Sequence, residues 1–399
     1  MSLNPHGRLF TLFLAGLSVL PPLAIDMALP SLAYVEADLH ATQAKAAAAI
    51  AIFLAGFATA PILVGPLADR FGRKPVMLAG LALFALCGAG CALAPSILTL
   101  LAFRLVQGAG AGAVGVLPRA IIRDLFEGRE ARLSLAAVSL MFSVGPLIAP
   151  TLGAAVLAVG SWRAIYALLA AIGAALAFVA ITSFEESHEP AKRRNLKPKT
   201  IIAGYRRALT HPLCGGFALV NGLVFAGLFS YVNTSPLIFM QAYGFSKAAF
   251  AGLFAIGASG VFIGSSLNAW LLNRHAKPKS VIDAGLTMLC LSALALTAVS
   301  LAGVASALIV AAIIMIYVSA FGLVFPNASH EAVHPLPEIA GVVSAVLAAT
   351  QMLFGALGGA ISAAIYHGGA PLSLGLVMSV SALAAAALYA LWLRAMVEE

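Results

Sequence analysis

The chain has 399 residues, 62% of them hydrophobic and 10% charged, where an ordinary soluble domain carries about 25% charged residues. A mean hydropathy of +1.01 leaves more apolar surface than a single globular core can hide, so most of it must face lipid and a water-soluble fold is excluded. The net charge of +8 would suit nucleic acid in a soluble protein, but here it is first a question of membrane topology.

In chain order, weakly charged stretches of roughly 20 residues predict twelve transmembrane helices, at about 9–33, 46–67, 75–94, 97–118, 133–158, 163–183, 212–238, 248–272, 280–300, 304–325, 340–366 and 372–394. Helices are required because hydrocarbon gives free amides no partner, and the runs lack the alternation and short length of barrel strands. The first run has no small-residue cleavage site and reads as a span, not a leader. With the N-terminus placed inside, 19 of the 23 Lys and Arg residues fall on the cytoplasmic side. They are Arg8; Arg70, Arg73 and Lys74; Arg119, Arg123, Arg129 and Arg132; Lys192, Arg193, Arg194, Lys197, Lys199, Arg206 and Arg207; Arg274, Lys277 and Lys279; and Arg394. Lys45, Arg163 and Lys247 fall outside. Positive loops mark the cytoplasm, so both termini are expected there, and no nucleic-acid partner is needed to explain the charge.

The polar stretch 184–211 separates two membrane parts of equal length. The expected organisation is a six-helix bundle over 1–183, a cytoplasmic linker over 184–211 and a second six-helix bundle over 212–399. The distal linker, from Ile201, mixes apolar and basic residues as an interfacial helix does. Phe53, Gly56 and Arg73 recur as Phe254, Gly257 and Arg274 at a constant offset of 201, as a duplicated unit requires. Cys87, Cys91, Cys214 and Cys290 lie in apolar runs without metal-ligand spacing, so no disulfide framework, metal or cofactor is expected.

Two ionisable side chains fall well inside spans, Asp26 and Arg104. A charge at mid-bilayer costs at least ~2.5 to 3.5 kcal/mol, so such groups face protein or a wet cavity. A plain ion pair is one reading. The other is functional: a carboxylic acid shielded from water can take up and release a proton as its surroundings change, while Arg104 acts electrostatically. Asp283, at a cytoplasmic helix end, reads as solvated. Gln107, Asn221, Tyr231, Asn233, Asn268, Tyr317 and Gln351 are the larger polar groups within spans, each explicable as an interhelical hydrogen bond. With Met27, Phe225 and Phe229, several of them could line a mostly apolar small-molecule pocket. Pro21, Pro22 and Pro30 remove backbone donors around Asp26 and let the first helix bend.

Two further patterns combine glycine with proline. GPLADRFGRK, from Gly65 to Lys74, gathers Asp69, Arg70, Gly72, Arg73 and Lys74 at a tight turn, where charge-assisted bonds could latch helix ends. GPLIAPTLG, from Gly145 to Gly153, places Pro146 and Pro150 between glycines, permitting a kink, a hinge or a close-packed seam. The first pattern resembles the loop motif between the second and third helices of the major facilitator superfamily. RLVQGAGAG, from Arg104, resembles the fourth-helix motif of its proton-coupled members, and Gly145, Pro146 and Gly153 the fifth-helix motif of drug:proton antiporters. LAIDMALPSL around Asp26, RAIIRDLF from Arg119, GPLIAP, and FSYVNTSPLIFMQAYGFS from Phe229 look like the Bcr/CflA branch of drug efflux proteins. Ala28, Ala149 and Ala154 depart from that branch's usual aromatic and glycine positions.

The resemblance implies an all-α membrane protein of twelve helices with a substrate cavity between two bundles. It implies a monomer in a bacterial inner membrane that exports small, largely apolar drugs in exchange for protons. Asp26 and Arg104 would carry proton coupling. Asp26, Met27, Arg104, Gln107, Asn221, Phe225, Phe229, Asn233, Tyr317 and Gln351 would contact substrate. A metabolite carrier on the same fold, for an amino-acid derivative or a nucleoside, is the rival reading. An intramembrane enzyme needs paired catalytic groups, and no His, Glu or second Asp lies beside Asp26 in the sequence.

Overall fold

The computed structural model describes residues 5, 7–126, 128–187, 198–368 and 371–397, with the side chains of 128, 129, 131, 132, 136, 139, 140, 142, 143, 147, 198 and 200 left aside. Of the expected topogenic cations, Lys192, Arg193, Arg194 and Lys197 lie outside the described residues, as do the side chains of Arg129 and Arg132. All regular structure among the described residues is helical. In order the helices are α1 Arg8–Asp26, α2 Leu32–Asp38, α3 Gln43–Phe71, α4 Arg73–Ala92, α5 Ile97–Leu125, α6 Gly128–Val159 and α7 Trp162–Ser183. They continue as α8 Pro198–Thr210, α9 Pro212–Pro236, α10 Lys247–Asn273, α11 Pro278–Leu301, α12 Ala307–Val333, α13 Ala340–Ala364 and α14 Leu372–Leu388. Among the described residues, eleven segments are long and apolar enough to cross a membrane, α1 and α2 forming one of them. In α6 the apolar stretch Val144–Val159 is shorter.

Several helices outrun the hydropathy reading. The fourth span was expected to end near 118, yet α5 continues to Leu125; the tenth was expected to end near 325, yet α12 continues to Val333. Polar turns on a helix end are invisible to a hydropathy window because they sit outside the hydrocarbon while keeping the helical bonds.

The chain divides into two compact units, Met1–Ala41 with Ile52–Ile202, and Thr42–Ala51 with Ala203–Glu399. In the first, α1 packs on α5 and α6, and α4 packs on α5 and α7. In the second, α9 packs on α12 and α13, and α11 packs on α12 and α14. The same four pairings therefore recur in both. Backbones touch where side chains are missing: a Cβ on Gly108 would lie 2.0 Å from the Phe53 carbonyl oxygen. In the second unit a Cβ on Gly264 would lie 1.9 Å from that of Ser319. Small residues at such crossings are what membrane helices use in place of a hydrophobic driving force.

Helix α8 mixes basic Lys199, Arg206 and Arg207 with apolar residues such as Ile201, Ile202 and Leu209, and Arg207 pairs with Glu338 at 2.6 Å. Asp283, read as solvated, is partly exposed and also takes a forked pair of bonds from Arg394, Nε at 3.1 Å and Nη2 at 3.0 Å. The two residues are 111 apart in sequence, so only the packing of α11 on α14 could reveal the partner. This bonding holds the Arg394 guanidinium above its ordinary pKa.

Candidate functional site

Helix α1 crosses Pro21 and Pro22 and stops at Asp26. Its end is dictated by Pro30, which has no N–H to offer the Asp26 carbonyl four residues back. The chain tightens into a 3-10 turn, Leu29–Ser31, in which the Ser31 hydroxyl donates to the Ala28 carbonyl at 2.7 Å. Asp26 thus sits where regular helix gives way. Of the most apolar stretch of this segment, 83% is buried. The Asp26 side chain, 4% exposed, forms no hydrogen bond or ion pair among the described residues.

Arg104, fully buried on α5, does not pair with Asp26. Its Nη2 donates to the Ala24 carbonyl at 3.2 Å and its Nη1 to Gln107 Oε1 at 2.9 Å. Ala24 lies in the last turn of α1, where carbonyls lack intrahelical partners and a cation is favoured by the helix dipole. The guanidinium also lies 4.1 Å from the Phe53 ring centre and 5.5 Å from that of Tyr166, contacts worth about 2 kcal/mol when desolvated. Gln107 Nε2 is buried without a partner in this cluster. The plain ion pair, one of the two readings of these residues, is not formed; the cation is fixed to the main chain of the acid's own helix.

The fifth-helix motif packs on the same segment. A Cβ on Gly145 would meet Pro22 at 2.8 Å, and one on Gly153 would meet the Met27 carbonyl oxygen at 2.3 Å. Helix α6 runs continuously across Pro146 and Pro150, and its close neighbour is α1 within the first unit.

At the α3–α4 turn, Gly72 has φ +101°, a conformation that side chains rarely tolerate. Arg73, 5% exposed, donates from Nη1 to Asp69 at 2.6 Å and from Nε to Asp124 at 2.9 Å. Glu186 accepts the backbone N–H groups of Arg73 at 2.8 Å and Lys74 at 3.2 Å, capping α4. Lys74 Nζ in turn donates to the Phe184 and Ile181 carbonyls at 2.6 and 3.2 Å. Arg70 lies outside this network, over the Phe71 ring, and Gly65 faces open space, so close packing does not explain it. Sequence reasoning missed Asp124 and Glu186. Asp124 lay in the quoted RAIIRDLF run, and Glu186 opens the linker.

The remaining candidates belong to the second unit. Asn221, Phe225, Phe229 and Asn233 are on α9, Tyr317 on α12 and Gln351 on α13. Asn233 Nδ2 donates to the Gly359 carbonyl at 2.9 Å, while the Oδ1 atoms of Asn221 and Asn233 are buried without partners. The Tyr317 hydroxyl fills the space left by Gly227, 1.8 Å from where a Cβ would stand. Gln351 is buried on α13. Phe321 and Phe325, absent from the sequence reading, pack against Phe225 at 5.3 and 5.6 Å.

Comparison with known proteins places this geometry in a family. YdgK of Bacillus subtilis (strain 168), an uncharacterised MFS-type transporter, is 31% identical over 89% of each chain. The multidrug resistance protein MdtL of Escherichia fergusonii is 29% identical over 92% of this chain and 91% of its own. Among solved structures, a D-xylose-proton symporter matches with TM-score 0.72 at 17% identity, covering 95% of this chain and 97% of its own. A bacterial homologue of the human lysosomal transporter Spinster, inward-facing and unoccupied, matches with TM-score 0.74 at 16% identity, covering 98% and 97%. The Major Facilitator Superfamily model matches residues 14–359, and the chain belongs to that superfamily: it is a multi-pass membrane transporter of small molecules, not an enzyme.

Proposed function

We propose that the chain is a drug:proton antiporter of the Bcr/CflA type, exporting small, largely apolar compounds across a bacterial inner membrane. The observation that carries this reading is Asp26: a buried carboxyl group, without a hydrogen-bond partner among the described residues, at the point where α1 breaks. A carboxylate without bonded donors depends on its surroundings for its charge, and a small movement of α1 changes those surroundings. Arg104 bonds the Ala24 carbonyl two residues away, so a shift of α5 against α1 changes the field at the acid. The name of the MdtL relative supports drug export over metabolite carriage.

In the cycle, Asp26 takes a proton from outside and releases it inside when substrate binds, and alternating access returns the transporter with its cargo. The cluster of Asp69, Arg73 and Asp124, with Lys74 and Glu186, holds one conformer. Gly145 and Gly153 let α6 seat against the segment that carries Asp26. Both termini are cytoplasmic, the halves move as six-helix bundles, and the working unit is a monomer.

The test is Asp26→Asn in the full chain, reconstituted in vesicles. The variant is expected to fold, by size-exclusion profile, and to lose substrate-driven proton movement. Undiminished proton movement in the variant removes Asp26 from the mechanism.

A further inference from the structure

In the second unit, four phenylalanines form two parallel stacks. On α9, Phe225 and Phe229 have ring centres 5.8 Å apart at 17°; on α12, Phe321 and Phe325 have theirs 5.2 Å apart at 10°. Each pair is spaced four residues apart, the spacing that puts side chains on one helix face. The stacks meet edge to face, Phe225 on Phe321 at 5.3 Å and 68°.

An aromatic stripe at helical spacing is ordinarily core packing, and a core would enclose all four rings. Here Phe225 and Phe321 are 8% and 5% exposed, whereas the outer member of each stack, Phe229 and Phe325, is only half-buried. Phe229 is half-open although α9 belongs to the most enclosed span of its unit, with 72% of its most apolar stretch buried, and Phe325 stands on α12, where that share is 50%. Beneath Phe229, Gly355 offers a smooth wall: a Cβ there would stand 3.1 Å from the ring. Two rings, one on α9 and one on α12, therefore present uncovered surface side by side, each stacked on a buried ring that holds its tilt. Aromatic rings prefer offset or edge-to-face partners, and this arrangement offers both orientations.

We propose that Phe229 and Phe325, held by Phe225 and Phe321, read a flat aromatic ring on the cargo and favour it over a saturated ring of the same size. This rests on the drug-export reading. The probes are two analogues of chloramphenicol, with phenyl and with cyclohexyl in place of the nitrophenyl ring, measured as proton-coupled uptake into inverted vesicles carrying the full chain. The unmodified chain is expected to show a lower KM for the aromatic probe. In Phe229→Leu and Phe325→Leu, which keep apolar bulk, the ratio of the two KM values is expected to shrink by roughly 2- to 12-fold, the usual strength of one ring contact. A ratio of one in the unmodified chain, an unchanged ratio in both variants, or an equal rise in both KM values overturns the proposal. Absence of proton-driven uptake of either probe, or of any other drug, by the unmodified chain instead counts against the export reading.

Discussion

The Ala24 carbonyl is among the last acceptors of α1, and Pro30 leaves the Asp26 carbonyl without its usual donor. Into this frayed end α5 sends a guanidinium whose two terminal nitrogens diverge, Nη2 to Ala24 and Nη1 to Gln107. Two donors in a fixed fork over the Phe53 ring suit arginine, whereas a lysine ammonium is a point charge on a flexible stem. Arg104→Lys keeps the charge but can hold only one of the two acceptors. A charge-assisted bond contributes about 1.5 to 3 kcal/mol, so loss of one is expected to cost transport at least about tenfold. Folding should survive, because the positive charge still faces the helix end. Rates of substrate-driven proton release in vesicles, compared at equal protein amount, check this; a fully active lysine variant would mean the fork is irrelevant. The sequence showed that Asp26 and Arg104 both needed explaining, but not that Arg104 bonds a main-chain carbonyl of the helix that carries the acid. Side-chain chemistry is legible in a sequence; the backbone groups left open at a helix end acquire partners only in the packed bundle.

Between elements, the ends of α4 and the segment leaving α7 are joined reciprocally. Glu186 caps the first amides of α4, and Lys74, in the first turn of α4, takes the last carbonyls of α7. Each helix end thus receives the charge its dipole favours. Arg73 adds α3 through Asp69 and α5 through Asp124, so four helices meet at one turn. The glycine-bounded motif made the turn and its cations readable. Its acceptors were not, because Asp124 and Glu186 stand 51 and 113 residues from Arg73 and nothing local pairs them. Glu186→Ala removes a cap from two amides and is expected to destabilise the first unit by about 1 to 2 kcal/mol. Glu185→Ala, one residue earlier and exposed, is the matched control, expected within about 0.5 kcal/mol of the parent as for ordinary surface sites. Denaturant titration in mixed micelles reads both, and equal midpoints for the two variants would show that the cap contributes nothing.

For the molecule as a whole, hydropathy located the spans because lipid imposes a length and a polarity on every crossing, and helix ends were misjudged where polar turns continue, as in α5 and α12. The pairing of helices within each unit was beyond it, since α9 and α13 are joined through small residues such as Gly358, whose Cβ would stand 2.3 Å from the Ala226 carbonyl. Sidedness rests on a separate argument: Arg and Lys are retained on the cytoplasmic side, and the chain places them in alternate loops. The structure supplies sites at which to check it. His275 lies in the turn between α10 and α11, and Gly160 between α6 and α7, both exposed. By the charge rule the first is cytoplasmic and the second external. The native cysteines are free, with Cys87, Cys91 and Cys214 buried and Cys290 half-buried, so replacing all four with alanine gives a background for labelling. On it, Gly160→Cys is expected to react with a membrane-impermeant maleimide in intact cells, and His275→Cys only after the membrane is opened. The reverse pattern would invert the topology, and with it the direction in which a proton taken up by Asp26 could drive cargo.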